Sequence, residues 1–389
     1  MLELGMEIKD FLREFWQKKP LFIRDGVKKF SSPFSENELA GLSCEDGVES
    51  RLVIENGKIP WELKSGPFDE ATLTSLPAIK WTLLVQDVDK WVSELSELKS
   101  FFRFVPDWRF DDIMVSYSPE GGSVGAHLDH YDVFLLQVTG KKRWSIESKA
   151  RKKGEDAHID GIELRQLETF NPDQEFILGP GDLLYLPPRH AHHGVTIDAG
   201  MTFSIGFHAP AYKELLKSHL EDCLSLLDDE ERLGDADLSQ VDHPAEISPK
   251  TLEKVDLLLK KLSSSRQGMP HWLGVLLSSP KGHHAAGYQA IAPEQSFSWE
   301  QCAQLLSSCT NLMREESCRI NFIRNKQELL FFVNGVEIIC PLNFLDLVLL
   351  ISRSYDLNGK QILKVIQREP TSQNFFLDLI NQGYFYWSS

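Results

Sequence analysis

The sequence predicts an α+β chain in three parts: a β-barrel or sandwich of the jelly-roll kind over residues 1–210, a helical segment over 211–297, and a small winged-helix-like domain over 298–389. Three observations carry this. Residues 112–208 hold many short apolar or alternating runs separated by Gly and Pro turns, the pattern of closed or packed all-β architectures. After Ala209-Pro210 the apolar period changes from two to that of a helix. From Ser298 onward, short helices flank a hairpin. A length of 389 residues also exceeds one ordinary domain of about 100–150 residues.

Taken in order, residues 7–17 place Ile8, Phe11, Leu12, Phe15 and Trp16 at helical spacing, and Pro20 ends that helix before a short strand at 21–23. Ser35 and Glu38 form a capping box for a second helix over 35–43. Residues 51–61 predict a hairpin around Asn56-Gly57, 81–88 a strand, and 89–101 a helix with Trp91, Val92, Leu95 and Leu98 on one face. Residues 112–118 alternate, with Ile113, Val115 and Tyr117 opposite Met114, Ser116 and Ser118. A Gly-rich connector leads to a strand carrying His127-Leu128-Asp129. The run 133–138 predicts a buried strand, 139–142 a hairpin-like turn, 143–146 the next strand, and 149–162 an exposed charged loop. Strands at 176–178 and 183–186 flank the turn 179–182. Pro187-Pro188 then presents Arg189-His190-Ala191-His192-His193-Gly194, and 201–208 closes the barrel.

Residues 212–227 predict a helix, 228–237 an acidic break, 249–262 a helix and 263–268 a loop. Residues 270–297, with His271, Trp272 and His283-His284, show no firm period. The last part predicts helices at 298–309, 343–352, 359–367 and 372–381, strands at 319–323, 329–332 and 336–339 with an Asn334-Gly335 turn, and an aromatic strand at 384–387. Its acidic and basic residues nearly balance, which disfavours DNA reading and favours a packing or partner-contact module.

Hydrophobic content of 42% and charged content of 25% place the chain among soluble globular proteins. A formal charge of −16 disfavours coating of nucleic acid, which needs a basic surface, and suits a cationic partner. The six cysteines are scattered without CxxC pairs, as free thiols in a reducing compartment would be. The charged N-terminus lacks a signal-peptide core, and no stretch is apolar for the length of a membrane span. A cytoplasmic protein is the expectation.

The chemistry concentrates between Ser116 and Trp144. On a strand His127 and Asp129 share a face, and an imidazole with a carboxylate is two-thirds of the facial triad that holds non-heme Fe(II). The third ligand is expected on a neighbouring strand, from His190, His192 or His193, among which spacing does not choose. A 2-oxoglutarate co-substrate on such an iron leaves a distal carboxylate that needs a strand-borne cation and a hydroxyl. Lys142 and Ser116 are candidates, although by spacing alone Lys141, Lys142 and Arg143 form a solvated turn.

Two segments, PDWRFDDIMVSYSPEGGSVGAHLDHYDVFLLQVTGKKRW and GPGDLLYLPPRHAHHGVTIDAGMTFSIGFHAP, resemble the Jumonji C (cupin) family of Fe(II)- and 2-oxoglutarate-dependent oxygenases. The resemblance is strongest to bacterial ribosomal oxygenases that hydroxylate an arginine of a large-subunit ribosomal protein. It implies a double-stranded β-helix barrel with His127, Asp129 and His192 as iron ligands, His192 filling the place of the last histidine in Pro-Pro-x-x-x-His-x-Gly. It implies that Lys142 and Ser116 contact 2-oxoglutarate, which is decarboxylated to succinate as a substrate C–H is hydroxylated. It further implies a basic ribosomal-protein substrate and a homodimer formed by the middle helices. Neither membrane nor direct nucleic-acid binding is expected. Lys142 stands where the bacterial group often has Arg, His193 where an acid is common, and His208 where Arg is common. Related readings are histidyl hydroxylation, methyl-lysine demethylation, another cupin metalloenzyme, or a non-catalytic binding barrel.

Overall fold

The computed structural model describes residues 2–56, 59–237, 243, 245–264, 268–281, 290–308 and 311–387. Gly57 of the predicted turn, residues 265–267 of the predicted loop, His283-His284 and Cys309 lie outside the described residues. The N-terminal half contains β1 (Leu21–Ile23), β2 (Ser50–Asn56), β3 (Ile59–Ser65), β4 (Trp81–Val85), β5 (Phe110–Ser118) and β6 (Asp132–Gln137). It continues with β7 (Lys141–Ile146), β8 (Gln174–Leu178), β9 (Leu183–Leu186), β10 (His192–Asp198) and β11 (Gly200–Phe207). Eight of these form one sheet in the order β1-β9-β6-β11-β5-β4-β2-β3, and three form a second, β10-β7-β8. Their ladders are antiparallel, so this is the expected jelly-roll, a double-stranded β-helix, extended on one edge by β4, β2 and β3.

Both faces of the large sheet are covered, which is why β6, β9 and β11 are buried throughout. On the outer face, Phe134, Tyr185, Phe203 and Val115 pack against Phe11 of α1 (Ile8–Glu14), Leu39 of α2 (Glu36–Leu42) and Leu95 and Leu98 of α4 (Leu95–Phe101), with the short α3 (Glu70–Thr74) at the edge. Each fully buried ring or leucine there contributes about 1.5–3 kcal/mol. The predicted capping box of α2 is present, Ser35 N donating to Glu38 at 2.7 Å and Glu38 N to Ser35 Oγ at 3.3 Å. On the inner face, Val133, Leu135, Leu184 and Leu186 meet Trp144, Ile146 and Leu178 of the small sheet.

Four local expectations are corrected. His127-Leu128-Asp129 is not a strand: His127 makes a single antiparallel bridge to His192 and the flanking residues are irregular. Gly125, with φ +81°, breaks the extended run just before it. Conversely, the segment expected to follow a turn begins strand β10 at His192. Lys141 and Lys142 belong to β7 rather than to its turn. The helix expected over 89–101 is shortened to a 3-10 turn, Val88–Lys90, followed by α4.

Beyond the barrel lie α5 (Tyr212–Ser225), α6 (Pro249–Ser264) and α7 (Met269–Ser278), the last in the stretch without a legible period. Gly274 of α7 packs so tightly on Phe332 that a Cβ would sit 2.1 Å from its ring. The C-terminal part holds α8 (Trp299–Ser307), β12 (Leu312–Arg314), β13 (Ile320–Arg324), β14 (Leu329–Val333), β15 (Val336–Cys340), α9 (Leu345–Arg353), β16 (Asp356–Leu357), α10 (Gly359–Arg368), α11 (Gln373–Asn381) and β17 (Phe385–Trp387). It has its own core of Leu306, Phe331, Val348, Ile362, Phe376 and Leu379, among others. Among the described residues no helix is long and apolar enough to cross a membrane.

Candidate active site

At one end of the space between the sheets, His127, Asp129 and His192 bring their ligand atoms within 4.8 Å of one another. His192 Nε2 lies 3.6 Å from Asp129 Oδ2, and the two imidazoles are 4.3 Å apart at 60°. The bridge that replaces the expected strand achieves this, because His127 and His192 exchange backbone hydrogen bonds of 3.0 and 2.8 Å. Each histidine is also fixed from behind. Its Nδ1 is 2.9 Å from the carbonyl two residues earlier, Gly125 O for His127 and His190 O for His192. Donation from Nδ1 leaves the Nε2 lone pair of each ring for a cation, the usual outer-shell arrangement of a ligating histidine. Burial, then the neighbouring His127, pushes His192 down to about 4, so the ring is neutral as a ligand must be. Two imidazoles and one carboxylate brought together in this way fit Fe(II). Of the other two candidates, His190 packs with Nδ1 3.2 Å from Pro188 O, and His193 Nε2 contacts Ser123 Oγ at 3.0 Å.

Two further sequence candidates are polar without being exposed. Along β7 the alternation puts Lys142, Trp144 and Ile146 inward and Lys141 and Arg143 in solvent, so the solvated-turn reading holds for its neighbours but not for Lys142. Lys142 is 6% exposed, its ammonium lies 5.2 Å from the centre of the Trp144 ring, and no carboxylate pairs with it among the described residues. Desolvation pushes it down to about 8. Gly194 makes the room: a Cβ there would lie 2.8 Å from Trp144 and 2.9 Å from Lys142 Cε. Ser116, 6% exposed, sits on the inward face of β5 with its Oγ 3.4 Å from Thr202 O, beside Thr202, whose hydroxyl donates to Gln137. A buried ammonium that meets no carboxylate among the described residues fits a carboxylate-bearing ligand.

Three features went unread in the sequence. Asp112, on the same face as Met114 and Ser116, belongs to a group of four carboxylates. Asp87 pairs with Lys90 at 2.6 Å, Asp89 with Lys99 at 3.0 Å and Asp111 with Lys281 at 3.8 Å. Asp112 meets no cation among the described residues, its Oδ2 accepting instead from Gln86 Nε2 at 3.1 Å and the Asp87 amide at 3.2 Å, and burial followed by its acidic neighbours holds its carboxyl well above the usual range. Tyr131 links this group to the metal site: the Asp129 charge first, then burial, then Asp112 and Asp111 raise its phenol. Strand parity could have found Asp112.

Arg189 is the third. In the left-handed region at φ +65°, it donates its amide to Asp129 O at 2.7 Å. Its guanidinium donates to Arg151 O at 2.6 Å and Lys152 O at 2.5 Å. Arg151 in turn grips Glu147 with two bonds of 2.8 and 2.6 Å. The loop expected to be merely exposed is therefore tied to the ligand segment at both ends, since Leu167 N also donates to Ala126 O at 2.8 Å. No sequence pattern reveals a positive φ at an arginine.

A jelly roll with a two-histidine, one-carboxylate site and a buried lysine on β7 defines the class, and residues 97–215 match the JmjC domain family. The chain belongs to the Jumonji C family, in its ribosomal-oxygenase group. It is 36% identical over 280 residues to the ribosomal protein uL16 3-hydroxylase of Escherichia coli, covering 72% of this chain and 73% of that protein. It is 40% identical over 210 residues to a probable ribosomal oxygenase of Haemophilus influenzae, covering 53% and 50%. The solved structure of YcfD, a ribosomal oxygenase from E. coli, in complex with cobalt and 2-oxoglutarate superposes with a TM-score of 0.84 at 29% identity over 100% of both chains.

Proposed function

We propose that the protein is an Fe(II)- and 2-oxoglutarate-dependent hydroxylase of a large-subunit ribosomal protein, acting in the cytoplasm on an arginine side chain. His127, Asp129 and His192 hold the iron, and Lys142 with Ser116 takes the distal carboxylate of 2-oxoglutarate. When bound, the iron and its co-substrate supply the oxidising chemistry that inserts one oxygen of O2 into a C–H bond, with succinate and CO2 as the other products. The chain's own residues orient and exclude. The Nδ1–carbonyl bonds hold both imidazoles, and the apolar wall of Trp144, Ile146 and Leu178 keeps water from the co-substrate end.

The observation that carries the arginine assignment is Asp112, the one carboxylate of the four that meets no cation among the described residues, with the Tyr131 phenol in the field of both it and Asp129. A guanidinium is always charged and matches a carboxylate in two parallel hydrogen bonds. A net charge of −16 also favours encounter with a basic ribosomal protein.

The segments 1–210, 211–297 and 298–389 serve as oxygenase barrel, dimerisation segment and accessory domain, without direct nucleic-acid contact. Supporting the homodimer, α5 exposes Tyr212, Leu216, Leu220 and Leu224 at four-residue spacing, and α6 exposes Leu252, Val255 and Leu259. Such a stripe along adjacent helices is what a second copy covers.

The test is turnover of a uL16 fragment with Fe(II) and 2-oxoglutarate, read as succinate and as the gain of one oxygen located by fragmentation mass spectrometry. Wild type is expected to modify an arginine, and Asp129→Ala to abolish the reaction. Modification of histidine, or none with any ribosomal peptide, would overturn the assignment.

A further inference from the structure

The four-carboxylate group is held from two sides, and one of them is the C-terminal domain. Strand β4 pairs with β5 only as far as Val85 opposite Val115, then leaves. The amide of Ile113, next to Asp112, has lost its strand partner there and donates instead to Asp89 Oδ1 at 2.7 Å. Asp89 Oδ2 takes the Lys99 ammonium at 3.0 Å, and both side chains are nearly fully buried. The rest of the Lys99 surroundings comes largely from the other domain. Its ammonium reaches Glu316 O at 3.4 Å and lies 4.4 Å from the centre of the Tyr355 ring. That ring also receives Arg314 at 3.9 Å and Arg103 at 5.8 Å, and Arg103 donates to Ser352 O at 2.6 Å.

We propose that Tyr355, acting through Lys99 and Asp89, is a positioning residue for the substrate-reading end of β5, so that the C-terminal domain sets the placement of Asp112. The inference rests on the reading of Asp112 as the cation-binding group. The physical reason is desolvation. A buried carboxylate that replaces a strand hydrogen bond keeps its geometry only while its ammonium is held, and the ammonium is held most closely by the Tyr355 ring and the Glu316 carbonyl of the other domain, with the Phe110 ring of β5 farther off at 5.2 Å. Loss of the ring lets Lys99 turn toward water and leaves Asp89 free to follow, which releases Ile113 and the residue before it.

The experiment uses the full chain with Fe(II), 2-oxoglutarate and an arginine-bearing uL16 fragment. Tyr355→Leu is expected to raise KM for the fragment by at least ten-fold while KM for 2-oxoglutarate and fragment-free 2-oxoglutarate turnover stay within two-fold. Tyr355→Phe, which keeps the ring, is expected to match wild type. Amide hydrogen exchange provides a second readout independent of substrate: Ile113 should exchange at least ten-fold faster in Tyr355→Leu and not in Tyr355→Phe. An unchanged fragment KM and unchanged Ile113 exchange in Tyr355→Leu would overturn the proposal. So would an equal loss in Tyr355→Phe, or a parallel fall of every kinetic constant. If Asp112→Asn leaves fragment turnover intact, the substrate reading fails instead, whatever Ile113 does.

Discussion

Replacing Lys142 by Met should make the ligand-free protein more stable and the co-substrate site much weaker, two effects of opposite sign from one change. The ammonium is 6% exposed with no carboxylate partner among the described residues, and burial lowers it from 10.5 to about 8. At 1.36 kcal/mol per pH unit, that gap corresponds to roughly 3 kcal/mol of destabilisation at neutral pH. Because the folded value lies below the unfolded one, the unfolded chain binds the proton more tightly. The penalty is therefore full below about pH 8, fades as pH rises towards 10.5, and is absent above it. Met keeps the volume and removes the charge, so urea unfolding at pH 7 should show a gain of up to about 3 kcal/mol that disappears by pH 10.5. Bound 2-oxoglutarate then lacks the partner for its distal carboxylate, a loss of about 3–5 kcal/mol or roughly two to four orders of magnitude in affinity. Calorimetric titration of metal-loaded protein measures this directly. A variant less stable than wild type at pH 7, or one with unchanged 2-oxoglutarate affinity, would refute the assignment of an unpaired charge awaiting a carboxylate.

Two further outcomes follow from the same geometry. Gly194→Ala places a Cβ 2.8 Å from Trp144 and 2.9 Å from Lys142 Cε, and overpacking of this kind costs about 1–3 kcal/mol; thermal denaturation should fall accordingly, and 2-oxoglutarate KM should rise at least ten-fold while the metal content stays near one per chain. Arg189→Gly accepts the left-handed backbone but removes the guanidinium, so weaker Co(II) affinity in this variant, read by titration of the metal's absorption bands, isolates the side chain's hold on the 147–170 loop; unchanged affinity would show that the amide bond to Asp129 suffices.

The barrel was legible because its strands obey local rules. Alternation along β5 and the apolar runs of β6 and β9 follow from which faces are covered, and period two carries that information residue by residue. The segment carrying His127 departs from its strand-like pattern for a related reason: His127 and Asp129 are two apart, as strand neighbours would be, but one bridge to His192 and the left-handed Gly125 orient them instead. Pairing across sixty-odd residues of chain leaves no mark on the pattern at either end. The same holds for α7, whose faces meet α5, β13, β14 and β15, so no single apolar stripe emerges to give it a period.

Charge was harder still, because a charged side chain looks alike in sequence whether solvated or buried. Lys141, Lys142 and Arg143 form one basic run, yet alternation on β7 sends the middle one into the barrel and leaves its neighbours in water. Asp111 and Asp112 divide in the same way: adjacent in sequence, one meets Lys281 and the other meets no described cation. In each pair the strand's parity decides which charge is solvated and which is held for a ligand. On the proposed reading the substrate side rests on Asp112, which accepts from Gln86 and the Asp87 amide but meets no described cation, and the co-substrate side on the buried Lys142. The two groups are then complementary in sign to their ligands, Lys142 to a dicarboxylate and Asp112 to a guanidinium.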